Sequence, residues 1–145
     1  MDVGQFGFAA AMALGAVGSG LGAGVAGMSA IGAWKKCFAQ NRPAPFMLLA
    51  FVGAPLTQTI YGMILMNALR DAADAGRANP GKVFGIGLFG GLALGVSAWL
   101  QGAAGAAGTD ALAETGKGFG NYIIVLGLVE TVAIFAMVFL LGQIG

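Results

Sequence analysis

Gly18-Ser19-Gly20-Leu21-Gly22-Ala23-Gly24-Val25-Ala26-Gly27 is the stretch on which the fold turns. Glycine fills every second place over much of it, inside a run that carries no charge from Val3 to Trp34. The string is not a nucleotide loop, because nothing before it reads as a strand and both flanks are apolar. In lipid no hydrophobic force drives helices together, and small residues matter there because they let backbones approach. Glycine on several faces implies a helix enclosed by neighbours on both sides.

The rest of the 145-residue chain fits that setting. Hydrophobic residues make up 58% and charged residues 9%, against roughly 25% charged in an ordinary soluble domain. Such a chain cannot cover a surface facing water, so it reads as an integral membrane protein. The 27 glycines show no Gly-X-Y period, which excludes collagen. A net charge of +1 leaves no footprint for nucleic acid. There is no histidine and Cys37 is the single cysteine, which removes Ser/His and Cys/His catalysis, zinc sites and an intrachain disulfide. Beside Lys35 and Lys36, Cys37 reads as a loop-side thiol. The start lacks a basic segment and a clean cleavage site, so the first apolar run is expected to stay as a span.

Charges fall in clusters that delimit four apolar runs, at about 5–34, 44–69, 83–109 and 119–143. Each exceeds the ~20 residues a helix needs to cross the hydrocarbon core. None alternates as a barrel strand would. The second half repeats the first. Leu14-Gly15-Ala16 matches Leu94-Gly95-Val96 and Gly22-Ala23 matches Gly102-Ala103, while Leu56-Thr57-Gln58-Thr59 matches Leu128-Val129-Glu130-Thr131. The chain is therefore expected to be all-α, with two tandem helical hairpins, 1–72 and 73–145, that enter the membrane in the same orientation. Such a parallel repeat suits a ring or a pseudo-symmetric bundle. Spans 1 and 3 carry the small residues and belong inside. Spans 2 and 4 carry the bulk, including Phe46, Met47, Leu48, Leu49 and Phe51, and belong outside against lipid or a partner.

Glu130 is the one charged residue deep inside a span. A charge at a helix centre costs at least ~2.5–3.5 kcal/mol, and no Lys or Arg lies at its depth, so a proton or a metal cation must balance it. Gln58 holds the matching place in span 2, with Thr57 beside it, Tyr61 about one turn later, Gln101 in span 3 and Thr131 next to Glu130. Pro55, without an N–H, frees the Phe51 carbonyl and bends the helix. A carboxylate, two amide oxygens and a hydroxyl make an oxygen cage suited to a hard cation; a bare proton carrier needs little beyond the carboxyl. Tyr61 is placed to donate its hydroxyl to Glu130, with Thr131 as a further supporting residue.

Two hairpins, a glycine-rich first helix, Pro55-Leu56-Thr57-Gln58-Thr59-Ile60-Tyr61 in span 2 and Leu128-Val129-Glu130-Thr131 in span 4 resemble the proteolipid rotor-ring subunit of V-type ATPases, over essentially the whole chain. The likeness is nearest the bacterial sodium-transporting branch. It implies Na⁺ held by Glu130, Thr57, Gln58, Gln101 and the backbone carbonyl of Ala54, with Tyr61 locking the carboxylate; H⁺ is the alternative cargo. It also implies identical subunits in a two-layered ring, a stator subunit with a half-channel and an Arg, central-stalk subunits of an ATPase head, and surrounding lipid. The subunit itself would be non-catalytic, in a bacterial plasma membrane, with loops 35–43 and 110–118 facing the cytoplasm. The Lys and Arg count, four on that side against three, decides little, so the orientation rests on the resemblance. A four-span secondary exporter also carries one membrane-buried Glu, but in its first span, around an aromatic cavity and without a parallel repeat.

Overall fold

The computed structural model describes residues 3–144 and is helical throughout, with no strand among them. Helix α1 runs Val3–Ala39 and α2 Leu48–Gly53. A single 3₁₀ turn, Ala54–Leu56, leads into α3, Thr57–Asp74; α4 is Pro80–Thr115 and α5 Phe119–Gly142. Taking α2, the turn and α3 as one span, Leu48–Asp74, four segments are long and apolar enough to cross a membrane. The 3₁₀ turn sits where Pro55 removes a donor from the helical ladder.

The link between the two hairpins and the turn inside the second are both set by local chemistry. Asn79 Oδ1 accepts from Lys82 N at 2.9 Å and Pro80 takes the first helical position of α4. Between α4 and α5 only Gly116, Lys117 and Gly118 intervene, and both glycines hold positive φ, 66° and 85°. A link this short keeps the two helices antiparallel and adjacent.

The centre of the molecule is a seam of backbone against backbone. A methyl group on Gly18 would land on the backbone of Gly95, one on Gly102 on Gly22, and one on Gly87 on Gly7. Residues 7 and 87, like 22 and 102, are mates in the 80-residue repeat, so the duplicated helices meet along equivalent positions. Contacts advance together along both chains, and Ser29 Oγ donates to Ala106 O at 2.9 Å near the far end; α1 and α4 are parallel. The outer span α3 crosses α1, where Gly15 faces the carbonyl of Gln58 and Gly62 that of Ala11. Helix α5 lies against α4. Apolar clusters fill the two ends: Ala11, Leu65, Leu69, Ala72 and Val83 at one, Ala30, Leu48, Phe51, Leu112 and Leu126 at the other.

Four sequence expectations need correction. The polar breaks begin later than the charges suggest: Lys35 and Lys36 lie inside α1, and Asp110 and Glu114 inside α4. Charged side chains at a helix end are compatible with helix once that end has left the hydrocarbon. Cys37 is not a loop-side thiol, being 2% exposed in the last turn of α1, where the chain folds back so that Arg42 N donates to Cys37 O at 2.9 Å. Leu48 and Phe51 do not face outward; both are fully buried, Phe51 with its ring 5.6 Å from Phe119 and 6.3 Å from Tyr122. The bend after α2 turns that face onto α4. Thr131, finally, serves its own helix, as described below.

Candidate ion-binding site

Between the two apolar clusters lies a polar layer. Phe51, Gln58 and Leu65 follow one another at seven-residue spacing on a single buried face of span 2, so Gln58 enters the interior where its neighbours above and below are hydrocarbon. A buried amide costs several kcal/mol unless hydrogen-bonded, and Gln58 is bonded. Its Nε2 donates to Gln101 Oε1 at 2.9 Å, from α3 to α4. Thr57 Oγ1 lies 3.1 Å from Gln58 Oε1 and also 3.1 Å from Ala54 O. One hydroxyl proton thus has two acceptors within reach, one of them the carbonyl at the start of the 3₁₀ turn.

The carboxylate is met from two helices. Tyr61 Oη donates to Glu130 Oε1 at 2.8 Å, and Gln101 Nε2 reaches Glu130 Oε2 at 3.3 Å. The same Nε2 donates to the backbone carbonyl of Leu126 at 3.1 Å. A carbonyl can only accept, so it fixes which end of the Gln101 amide faces α5. Gln101 Oε1 must then face Gln58, and Gln58 in turn must offer its nitrogen. One backbone oxygen on α5 sets the direction of the whole relay.

Glu130 stands eleven residues after Phe119 and twelve before Gly142. All other charged side chains among the described residues lie within five residues of a span end or in a link. Glu130 is half-buried at the flank of the chain, whereas Gln58 and Gln101 are fully enclosed. No group of three or more His, Cys, Asp or Glu suited to a metal occurs among the described residues; the oxygen donors here are amide, hydroxyl, carbonyl and one carboxylate.

Of the residues singled out from sequence, Thr57, Gln58, Gln101, Tyr61, Glu130 and the Ala54 carbonyl form one connected hydrogen-bond cluster. Thr131 stands outside it: its Oγ1 donates to Gly127 O at 2.7 Å, four residues back on α5. That bond is the ordinary refuge of a helical threonine in an apolar setting. Sequence reasoning missed Ser97, whose Oγ donates to Val129 O at 3.0 Å, and the Leu126 carbonyl. The repeat held a signal for the first, since the mate of Ser97 is Val17.

A family model for the ATP synthase C subunit matches residues 84–141. The matched region holds Ser97, Gln101 and Glu130, so the similarity falls on the hairpin that carries the carboxylate. Over 136 residues the chain is 33% identical to the A-type ATP synthase subunit K of Methanocaldococcus jannaschii, covering 93% of this chain and 58% of that protein. The chain therefore spans little more than half the length of this curated relative. Both matches are to ATP synthase subunits, C in one case and K in the other.

Proposed function

We propose that this chain is a rotor-ring proteolipid that carries Na⁺ on Glu130 across the bilayer of a rotary ATPase. The observation that carries the reading is a single mid-span carboxylate tied to Tyr61 and Gln101 in a layer of oxygen-bearing side chains. Such a site makes a charged group tolerable in lipid only while a cation or proton balances it. Thr57, Gln58, Gln101 and the Ala54 carbonyl supply hard oxygen ligands beside it. Gln58 Oε1 becomes free for a cation when the Thr57 hydroxyl donates its hydrogen bond to Ala54 O alone, and Gln58 Nε2 can keep its bond to Gln101.

The filled, neutral site moves through lipid at modest cost. At a stator half-channel, water and a fixed Arg displace the ion, and rotation reloads Glu130 from the other side. Bond chemistry on ATP belongs to the soluble head, reached through central-stalk subunits; this subunit is non-catalytic. Identical copies form a two-layered ring in the cell membrane, with α1 and α4 inside. The ends at 35–43 and 110–118 face the cytoplasm; they lie together, as the 2.8 Å pair of Lys36 and Glu114 requires. Gln58 in place of a second carboxylate leaves one ion site per four spans, which favours pumping over synthesis.

One feature favours H⁺ instead. Gln58 Nε2 already donates to Gln101 Oε1, so the amides can serve as interhelical hydrogen bonds and not as cation ligands. Modification of Glu130 by dicyclohexylcarbodiimide, followed by mass spectrometry across Na⁺ concentrations, decides between them. Sodium carriage requires that added Na⁺ slow the modification; indifference to Na⁺ selects the proton.

A further inference from the structure

Two side chains one turn apart on α4 take hold of two carbonyls one turn apart on α5. Ser97 Oγ donates to Val129 O at 3.0 Å and Gln101 Nε2 to Leu126 O at 3.1 Å. A single hydrogen bond between helices leaves each free to roll about its own axis; two at different heights do not. Val129, which takes the bond from Ser97, immediately precedes Glu130 in sequence. The roll of α5 sets whether Glu130 Oε1 reaches Tyr61 or swings away.

The surroundings of Ser97 are otherwise apolar. It is 5% exposed and borders a groove of about 530 Å³ between α4 and α5, whose other lining residues, including Val96, Leu100, Leu128 and Val132, are hydrocarbon. Ser97 carries the one polar side chain on this lining.

The internal repeat supplies an independent comparison. Subtracting 80 from Ser97 and Gln101 gives Val17 and Leu21, which are 59% and 53% exposed and carry no polar atom on their side chains. The first hairpin, where Gln58 stands in place of a carboxylate, therefore lacks both anchors. The pair occurs only in the hairpin that has a Glu to aim.

We infer that Ser97 is a positioning residue for Glu130: with Gln101 it latches α5 to α4 and holds the carboxylate at the angle that meets Tyr61. This rests on the reading of Glu130 as an ion carrier. Ser97 borders the groove, and Ser97→Thr adds one methyl while keeping the hydroxyl.

The test uses the full chain in lipid vesicles, in parent, Ser97→Ala, Ser97→Thr and Ser29→Ala forms. Ser29 ties α1 to α4 by a comparable bond, to Ala106 O, and serves as the purely structural control. Two quantities are read: the rate of carbodiimide modification of Glu130 without Na⁺, and the Na⁺ concentration that halves it. Losing one hydrogen bond of ordinary strength predicts, for Ser97→Ala, a half-protecting concentration raised about 3- to 10-fold and a faster basal rate. Ser97→Thr and Ser29→Ala stay within about twofold of the parent, the latter even if its thermal stability falls, by the same measure. Parent-like values of both quantities in Ser97→Ala overturn the latch. Should Na⁺ fail to protect the parent, the sodium reading falls by itself, and the basal rate alone decides the latch: raised supports it, unchanged overturns it.

Discussion

Tyr61 and Glu130 lie 69 positions apart in the chain and meet through a 2.8 Å hydrogen bond between the two outer spans. The bond closes the cluster on the side away from the glutamines, so that donors approach the carboxyl from α3 and from α4 at once.

Removing that donor is the most direct probe of the site. Hydrogen bonds to charged groups contribute about 1.5–3 kcal/mol. Tyr61→Phe is therefore expected to raise the Na⁺ concentration that half-protects Glu130 by roughly tenfold or more. The chain keeps its packing, since the phenyl remains. Mass-spectrometric carbodiimide titration measures the change, and an unaltered midpoint refutes the role given to Tyr61.

Glu130→Gln keeps the shape of the side chain and removes its charge. Ion-coupled ATP hydrolysis in the assembled complex is expected to be lost, while helix content by circular dichroism stays at the parental level. Retained transport in reconstituted vesicles would refute Glu130 as the carrier.

Glycines in the seam and glycines on the free flank of α1 differ sharply. A side chain at Gly18 or Gly22 collides with α4 backbone, while nothing lies within 4 Å of a methyl at Gly20 or Gly24. Gly22→Val should destabilise the single chain by more than the ~1–3 kcal/mol typical of overpacking, because backbone cannot yield as side chains do. Gly24→Leu should leave the chain folded yet block ring formation if a neighbouring copy packs there. Thermal unfolding in detergent separates the first effect, and native gel electrophoresis the second. A Gly24→Leu ring of parental size would count against that flank as the contact between copies.

Cys37 offers a check on the fold that is independent of ion binding. Its burial at the end of α1 predicts negligible reaction with a maleimide in the folded chain and full reaction after denaturation. Fast labelling of the native protein would contradict the packing of Arg42–Pro45 over that end.

The four spans were legible because the glycine period and the charge clusters both report membrane depth. Their ends were not. Asp110 and Glu114 look like a loop when charge is taken as the mark of water, yet a helix that emerges from lipid carries charges readily. Gln58, Gln101 and Glu130 stood out because a polar group at mid-depth is costly and therefore conspicuous. Ser97 did not, since one hydroxyl among apolar residues shows only when it is set against its repeat mate Val17, and a backbone oxygen such as that of Leu126 has no letter in the sequence. Phe51 was misread for a related reason: its size says it must be covered, while only the turn at Pro55 says by what.

The glycine seam between α1 and α4 has a mechanical consequence. Where backbones touch there are no rotamers to shift, so shear between the hairpins must strain hydrogen-bonded helix itself. The two inner helices thus behave as one stiff spoke. Compliance is left to the 3₁₀ joint of span 2, where the helical ladder is already interrupted at Pro55.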